Sequence, residues 1–115
     1  MHEVTNTMSP DRRTTQRFQP KPGAYITCGG VHALVRDLSL AGIFVSDADP
    51  LPVGSEIVFI LRAGDQDISL EGIVRHSVDG QGMGIEFTNV SAVSRRRLRI
   101  YIASLVPAPS QVVST

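Results

Sequence analysis

The stretch Glu56-Ile57-Val58-Phe59-Ile60-Leu61-Arg62, followed by Ala63-Gly64-Asp65-Gln66-Asp67 and then Ile68-Ser69-Leu70-Glu71-Gly72-Ile73-Val74-Arg75-His76, sets two β-branched runs on either side of a breaker segment. Short runs of this composition, bounded by Gly and Asp, read as strands joined by a turn. The same pattern continues outward in both directions. Ala24 to Cys28, Val31 to Asp37 and Ile43 to Ser46 precede the stretch, and Met83 to Phe87 follows it, which gives six candidate strands. Gly29-Gly30 reads as a two-residue hairpin turn between the first two strands. Val78-Asp79-Gly80-Gln81-Gly82 is a further turn, and Asp47-Ala48-Asp49-Pro50-Leu51-Pro52-Val53-Gly54 is a longer connection. Strands joined by short turns run antiparallel, so the expected architecture is a small all-β barrel or sandwich.

From Ser91 the period changes. Ser94, Leu98, Tyr101, Ile102 and Leu105 recur on one face at helical spacing, and all but Ser94 can pack on a core. The other face carries Arg95, Arg96, Arg97 and Arg99, a solvated surface in the plain reading and a docking face in the sharper one. Asn89 or Ser91 can cap the first turn. Residues 1 to 11 are polar, and Pro107-Ala108-Pro109-Ser110 ends any helix, so both termini read as flexible tails.

At 115 residues the chain suits one domain with a single core. The apolar share is 42%, with six aromatics and no Trp, so that core must be built mainly from Val, Ile, Leu and Ala. The formal net charge is zero, which argues against a general nucleic-acid binder; an anion site, if present, must be local. Cys28 has no second cysteine to pair with, and a reducing, cytoplasmic setting is the expectation. No apolar run approaches the roughly 18 residues of a membrane span, and Met1 to Thr7 lacks the pattern of a secretory signal. His2, His32 and His76 are scattered and suggest neither a metal site nor a catalytic triad.

Two polar signatures stand outside this core pattern: Arg12-Arg13-Thr14-Thr15-Gln16-Arg17 and Asp37-Leu38-Ser39-Leu40-Ala41-Gly42. The guanidinium forks of the first pair bidentately with phosphate oxygens or with the O6/N7 edge of guanine. In the second, Asp37 can accept from guanine N1-H and N2-H, Ser39 adds a hydroxyl, and Gly42 lets backbone come close. Together they describe a split site for a guanine-containing, doubly charged phosphodiester. Taken singly, the blander readings are the commoner ones. Basic residues near a terminus are usually just solvated, and an Asp-x-Ser-x-x-Gly sequence is usually a turn whose Gly supplies an awkward φ/ψ.

The pair resembles the PilZ domain, a bacterial receptor for cyclic di-GMP whose hallmark is an RxxxR arm followed by a [D/N]xSxxG turn. Arg13-xxx-Arg17 and Asp37-x-Ser39-xx-Gly42 match without a departure. Gly54-Ser55-Glu56-Ile57-Val58, Gly72-Ile73-Val74-Arg75 and Gly82-Met83-Gly84-Ile85-Glu86-Phe87 are similar to the family's middle and closing strands, and the resemblance spans residues 12 to 105. It implies a six-stranded antiparallel β-barrel of the split-barrel type (23–88) with a flexible N-terminal arm (12–22) and one C-terminal helix (91–105), between tails at 1–11 and 106–115. It also implies a cyclic di-GMP receptor that performs no chemistry, holds no cofactor, and passes a signal to a protein partner when its surface changes. Arg13 and Arg17 would clamp phosphate and guanine edges, Asp37 would read a guanine edge, Ser39 would hydrogen-bond nearby, and Gly42 would keep the turn open. Arg12, just before the motif, adds a third guanidinium and the hypothesis that the ligand binds as an intercalated pair of molecules.

Rival classes fit less well. A PilZ-like adaptor without a nucleotide would be free to lose the arginines that are intact here. A barrel for RNA or single-stranded DNA needs exposed aromatics and a basic groove. An enzyme needs a nucleophile-base or metal-ligand constellation, and none is visible.

Overall fold

The strands form where the β-branched runs fall, in a computed structural model that describes residues 16–105. They are β1 (Tyr25–Cys28), β2 (Val31–Leu38), β3 (Gly42–Ser46), β4 (Glu56–Ala63), β5 (Gln66–Val78) and β6 (Gly82–Phe87), followed by helix α1 (Ala92–Leu105). All neighbouring strands are antiparallel, and the order β1-β2-β3-β6-β5-β4 closes on itself as a barrel. The all-β barrel with one C-terminal helix is therefore as the sequence indicates. Consecutive strands pair everywhere except at β3 and β4. There the long 47–55 connection carries the chain across the barrel, so that β3 pairs with β6 and β4 with β1.

The turn chemistry follows the residues. Gly29 and Gly30 have φ values of 57° and 87°, a conformation open to glycine, and they close the β1–β2 hairpin directly after the Cys28–Val31 pair. Alternation then sorts side chains in and out. Ile57, Phe59, Leu61 and Ala63 of β4 are buried, as are Ile68, Leu70 and Val74 of β5, while Val58, Arg62, Ser69 and Glu71 face outward. With no Trp available, the centre is aliphatic: Ile26, Leu38, Ile43, Val45, Leu61, Ile68, Leu70 and Val74 are essentially inaccessible.

Helix α1 completes the core. Ser91 is its cap, its Oγ accepting the Ser94 N–H at 3.0 Å. Leu98, Tyr101 and Ile102 are buried and Leu105 is half-buried, on the face the spacing predicted. Ser94 belongs to the same face because its hydroxyl donates to the Ser69 carbonyl at 2.7 Å, which fastens α1 to β5. Arg97 donates to the Asp67 carbonyl, whereas Arg95, Arg96 and Arg99 lie exposed on the opposite side. The Tyr101 hydroxyl accepts the Lys21 N–H at 3.0 Å, tying α1 to the segment that leads into β1. Among the described residues, no helix is long and apolar enough to cross a membrane.

Because Leu98 is 1% exposed, α1 is part of the barrel core. Leu98→Ala should cost about 2–5 kcal/mol in urea unfolding. Arg96→Ala, on the exposed side, should stay within about 0.5 kcal/mol of the parent.

Candidate functional site

The corner between β2 and β3 is built around one hydroxyl. Ser39 is wholly buried, and its Oγ accepts the backbone N–H groups of Ala41 at 3.0 Å and Gly42 at 3.1 Å. A backbone bond from Ser39 N to Gly42 O at 2.8 Å closes the turn. Gly42 is needed here, but for a reason other than turn conformation. It lies in β3 opposite Glu86 of β6 with no positive φ, and a Cβ added to it would sit 2.5 Å from the Ile85 carbonyl oxygen. The awkward φ/ψ of the plain turn reading is absent, and the backbone approach expected at Gly42 is one between two strands.

Arg17 reaches this corner from the other end of the motif pair. Phe18 forms an antiparallel bridge with Leu38, with bonds of 2.8 and 2.9 Å, and its ring packs on the edge of the core. This places the Arg17 guanidinium over the end of β2. Its Nε donates to Asp37 Oδ1 at 2.7 Å, one terminal nitrogen donates to the same oxygen, and the other donates to Ser39 Oγ at 3.2 Å. Of the six predicted site residues, Arg17, Asp37, Ser39 and Gly42 are thus brought together. Arg12 and Arg13 lie outside the described residues. The part of the predicted arm that is described is pinned, by the Phe18 bridge and by the bond from Lys21 to Tyr101.

Two irregularities in the ladder decide what else faces the site. Strict alternation would put Asp37 inside with Ala33 and Val35, but a β-bulge between Val35 and Asp37 inserts Arg36 and turns both Arg36 and Asp37 outward. A second bulge, between Val74 and His76, does the same for Arg75 and His76 on β5. The registers then line up Asp37, Phe44, Gly84 and His76 as one row across the outer faces of β2, β3, β6 and β5. Gly84 leaves a notch in that row: a Cβ there would lie 3.5 Å from the Phe44 ring and 3.6 Å from His76. The Arg36 guanidinium sits 5.4 Å from the Phe44 ring centroid, a cation–π contact. Arg75 donates to Glu86 across β5 and β6 at 2.6 Å.

An open depression of about 410 Å³ lies here, with Arg17, Asp37 and Ser39 at one side and Arg75, His76 and Glu86 at the other. Two arginines and two carboxylates make the described lining close to neutral. Its chemistry is that of paired forks and acceptors over an apolar floor, suited to planar groups with hydrogen-bonding edges. Among the described residues no cluster of three or more His, Cys, Asp or Glu could hold a metal ion. Cys28 is half-buried, and His32 stacks on Tyr25 away from the depression, with ring centroids 5.1 Å apart. The sequence missed Arg36, Phe44, Arg75, His76 and Glu86. The signal for Phe44 and Glu86 was their outward position in strands flanking the Ser39 turn, legible only once β3 is known to pair with β6.

The PilZ domain profile matches residues 11–104. Among solved structures, an uncharacterised Legionella protein matches with a TM-score of 0.62 at 16% identity, over 78% of this chain and 92% of its own. The PilZ domain of YcgR from Escherichia coli, solved with cyclic di-GMP, matches with a TM-score of 0.62 at 20% identity, over 82% of this chain and 91% of that one. PlzA from Borreliella burgdorferi, also solved with cyclic di-GMP, matches at 0.53 and 18% identity, over 85% of this chain and 44% of that one. At these identities the likeness to solved structures is one of fold. A search of the curated proteins found no match.

The geometry separates two glycines. Gly42→Ala should lower stability by about 1–3 kcal/mol because its new methyl meets backbone. Gly84→Ala, with only ordinary contacts, should unfold thermally within a degree or two of the parent.

Proposed function

The chain belongs to the PilZ domain family, and on that premise we propose that it is a cyclic di-GMP receptor, acting in the cytoplasm by binding rather than by catalysis. The observation that carries this reading is the meeting of Arg17 with Asp37 and Ser39, motif residues far apart in sequence, at the rim of an open depression. Two of the structures with this fold were solved with cyclic di-GMP.

In this reading Asp37 is half-prepared for guanine. Both Arg17 nitrogens that bind its carboxylate use Oδ1, and among the described residues Oδ2 has no partner. Oδ2 is free to accept from guanine N1-H and N2-H, while the guanidinium holds the carboxylate in place. Ser39, being buried, acts by fixing the corner and Arg17. Gly42 acts by holding β3 against β6.

A dianionic ligand brings two phosphate charges to a lining that is itself nearly neutral. The compensating charge would come from Arg12 and Arg13 of the arm and from Arg36 above Phe44. Closure of Arg12 and Arg13 over the ligand would change the surface beside the corner and present it to a protein partner. Arg12 also supports binding of an intercalated pair, since a third guanidinium suits a second nucleotide.

Arg13→Ala, Arg17→Ala and Asp37→Ala should each weaken cyclic di-GMP binding tenfold or more in calorimetry, the scale of one charge-assisted hydrogen bond. Undiminished affinity in all three would refute the assignment. At one hundred times Kd the ligand should stabilise the wild type by about 2.7 kcal/mol, read as a rise in Tm. No rise would favour an adaptor without a nucleotide. A stoichiometry of two ligands per chain, falling to one in Arg12→Ala, is expected for the intercalated pair; one per chain in the wild type would exclude it.

A further inference from the structure

We propose that Arg75 and Glu86 form a second guanine-reading pair, so that the depression recognises both bases of a two-guanine ligand and not one. This inference rests on the cyclic di-GMP reading above and extends it to residues outside both sequence motifs.

An exposed cross-strand ion pair is common on a sheet and adds little to folding. Arg75 and Glu86 are such a pair by exposure, with side chains 56% and 52% accessible. Their placement is what distinguishes them. Both line the depression that holds Arg17 and Asp37, and they do so from its far side. The chemistry of the two pairs is the same. Each sets a guanidinium against a carboxylate oxygen through Nε, at 2.7 Å for Arg17 on Asp37 Oδ1 and 2.6 Å for Arg75 on Glu86 Oε1. In each, the second carboxylate oxygen has no bond to another described residue; Arg17 keeps one N–H on its Ser39-bound terminal nitrogen, and Arg75 keeps those of both terminal nitrogens, for O6, N7 or a phosphate.

Their separation suits two bases. Asp37 lies opposite Phe44, and Glu86 lies opposite Gly42, two residues along β3 and one strand further round. From the strand spacing and rise, the two carboxylate-bearing residues are roughly 12 Å apart at their Cα atoms. That is comparable with the span between the bases of a cyclic dinucleotide. Between them the floor is Gly42, Phe44 and Gly84, flat and apolar, with a ring on which a base can lie. The second guanine belongs either to the same ligand molecule or to the other member of an intercalated pair; the chemistry required of Arg75 and Glu86 is the same.

The test compares cyclic di-GMP with the mixed cyclic GMP-AMP, which has one guanine, by calorimetry on the full chain and on Glu86→Gln and Arg75→Ala. Both positions are exposed, so the variants should keep the parent Tm. The wild type should favour cyclic di-GMP at least tenfold. Glu86→Gln should lose about tenfold in cyclic di-GMP affinity while its affinity for the mixed dinucleotide stays within twofold, so that the preference collapses. Arg75→Ala should do the same. If the stoichiometry falls from two to one in Glu86→Gln, the second guanine belongs to a second molecule; if it stays constant while affinity falls, it belongs to the first. Equal wild-type affinity for the two dinucleotides, or a preference retained in Glu86→Gln, would overturn the second pair and leave the receptor reading intact when Asp37→Ala still abolishes binding. A wild type that binds neither dinucleotide would remove both readings.

Discussion

A hydroxyl with no exposed surface must meet its hydrogen-bonding capacity inside the protein, and at Ser39 three groups from two parts of the chain converge on it. Two are backbone N–H groups that would otherwise be orphaned where β2 ends and β3 begins. The third is the Arg17 guanidinium. The corner is tight because of this bonding, and its tightness lets β3 fold back along β2 while its other edge lies against β6, with Gly42 close to the Ile85 carbonyl. Barrel closure and site assembly therefore share one constraint. A loosened corner would displace the strand that forms the floor of the depression and the carboxylate that forms its rim together.

That sharing explains which parts of the molecule were legible in the sequence. The strands were readable from β-branched runs and breakers, and the helix from Leu98, Tyr101 and Ile102, because burial acts on local periodicity. Gly29-Gly30 could be read from turn chemistry alone. Arg17, Asp37, Ser39 and Gly42 were readable because the two motifs carry complementary chemistry. Gly42 was read as a place where backbone comes close, but the partner in that approach was not legible. A sequence shows that a position lacks a Cβ but not which neighbour requires it, and here the neighbour is a backbone oxygen on a strand over forty residues away.

The remaining site residues depend on where alternation fails. By strict period-two reading Asp37 points into the core and His76 into the barrel beside Val74. Each is turned outward by one inserted residue, Arg36 in β2 and Arg75 in β5. No run of β-branched residues announces a bulge, because the extra residue is defined only by the register of the partner strand. Arg75 and Glu86 are accordingly ordinary surface residues in the sequence and His76 an inward one, yet all three line one depression with Arg17 and Asp37.

The bulges also account for the depression on this face of the barrel. β3 and β6 are flanked by the two bulged strands, so the outer surface between them gains consecutive outward residues on both sides, Arg36 with Asp37 and Arg75 with His76. A regular sheet offers one outward side chain in every two residues, and a charge set on it is diluted by its spacing. Doubling that density at both edges, while glycines at 42 and 84 keep the centre low, makes a shallow trough with charged walls from strands that stay paired on either side of each bulge. Because the trough is made from the ladder itself, its walls move only if the barrel deforms.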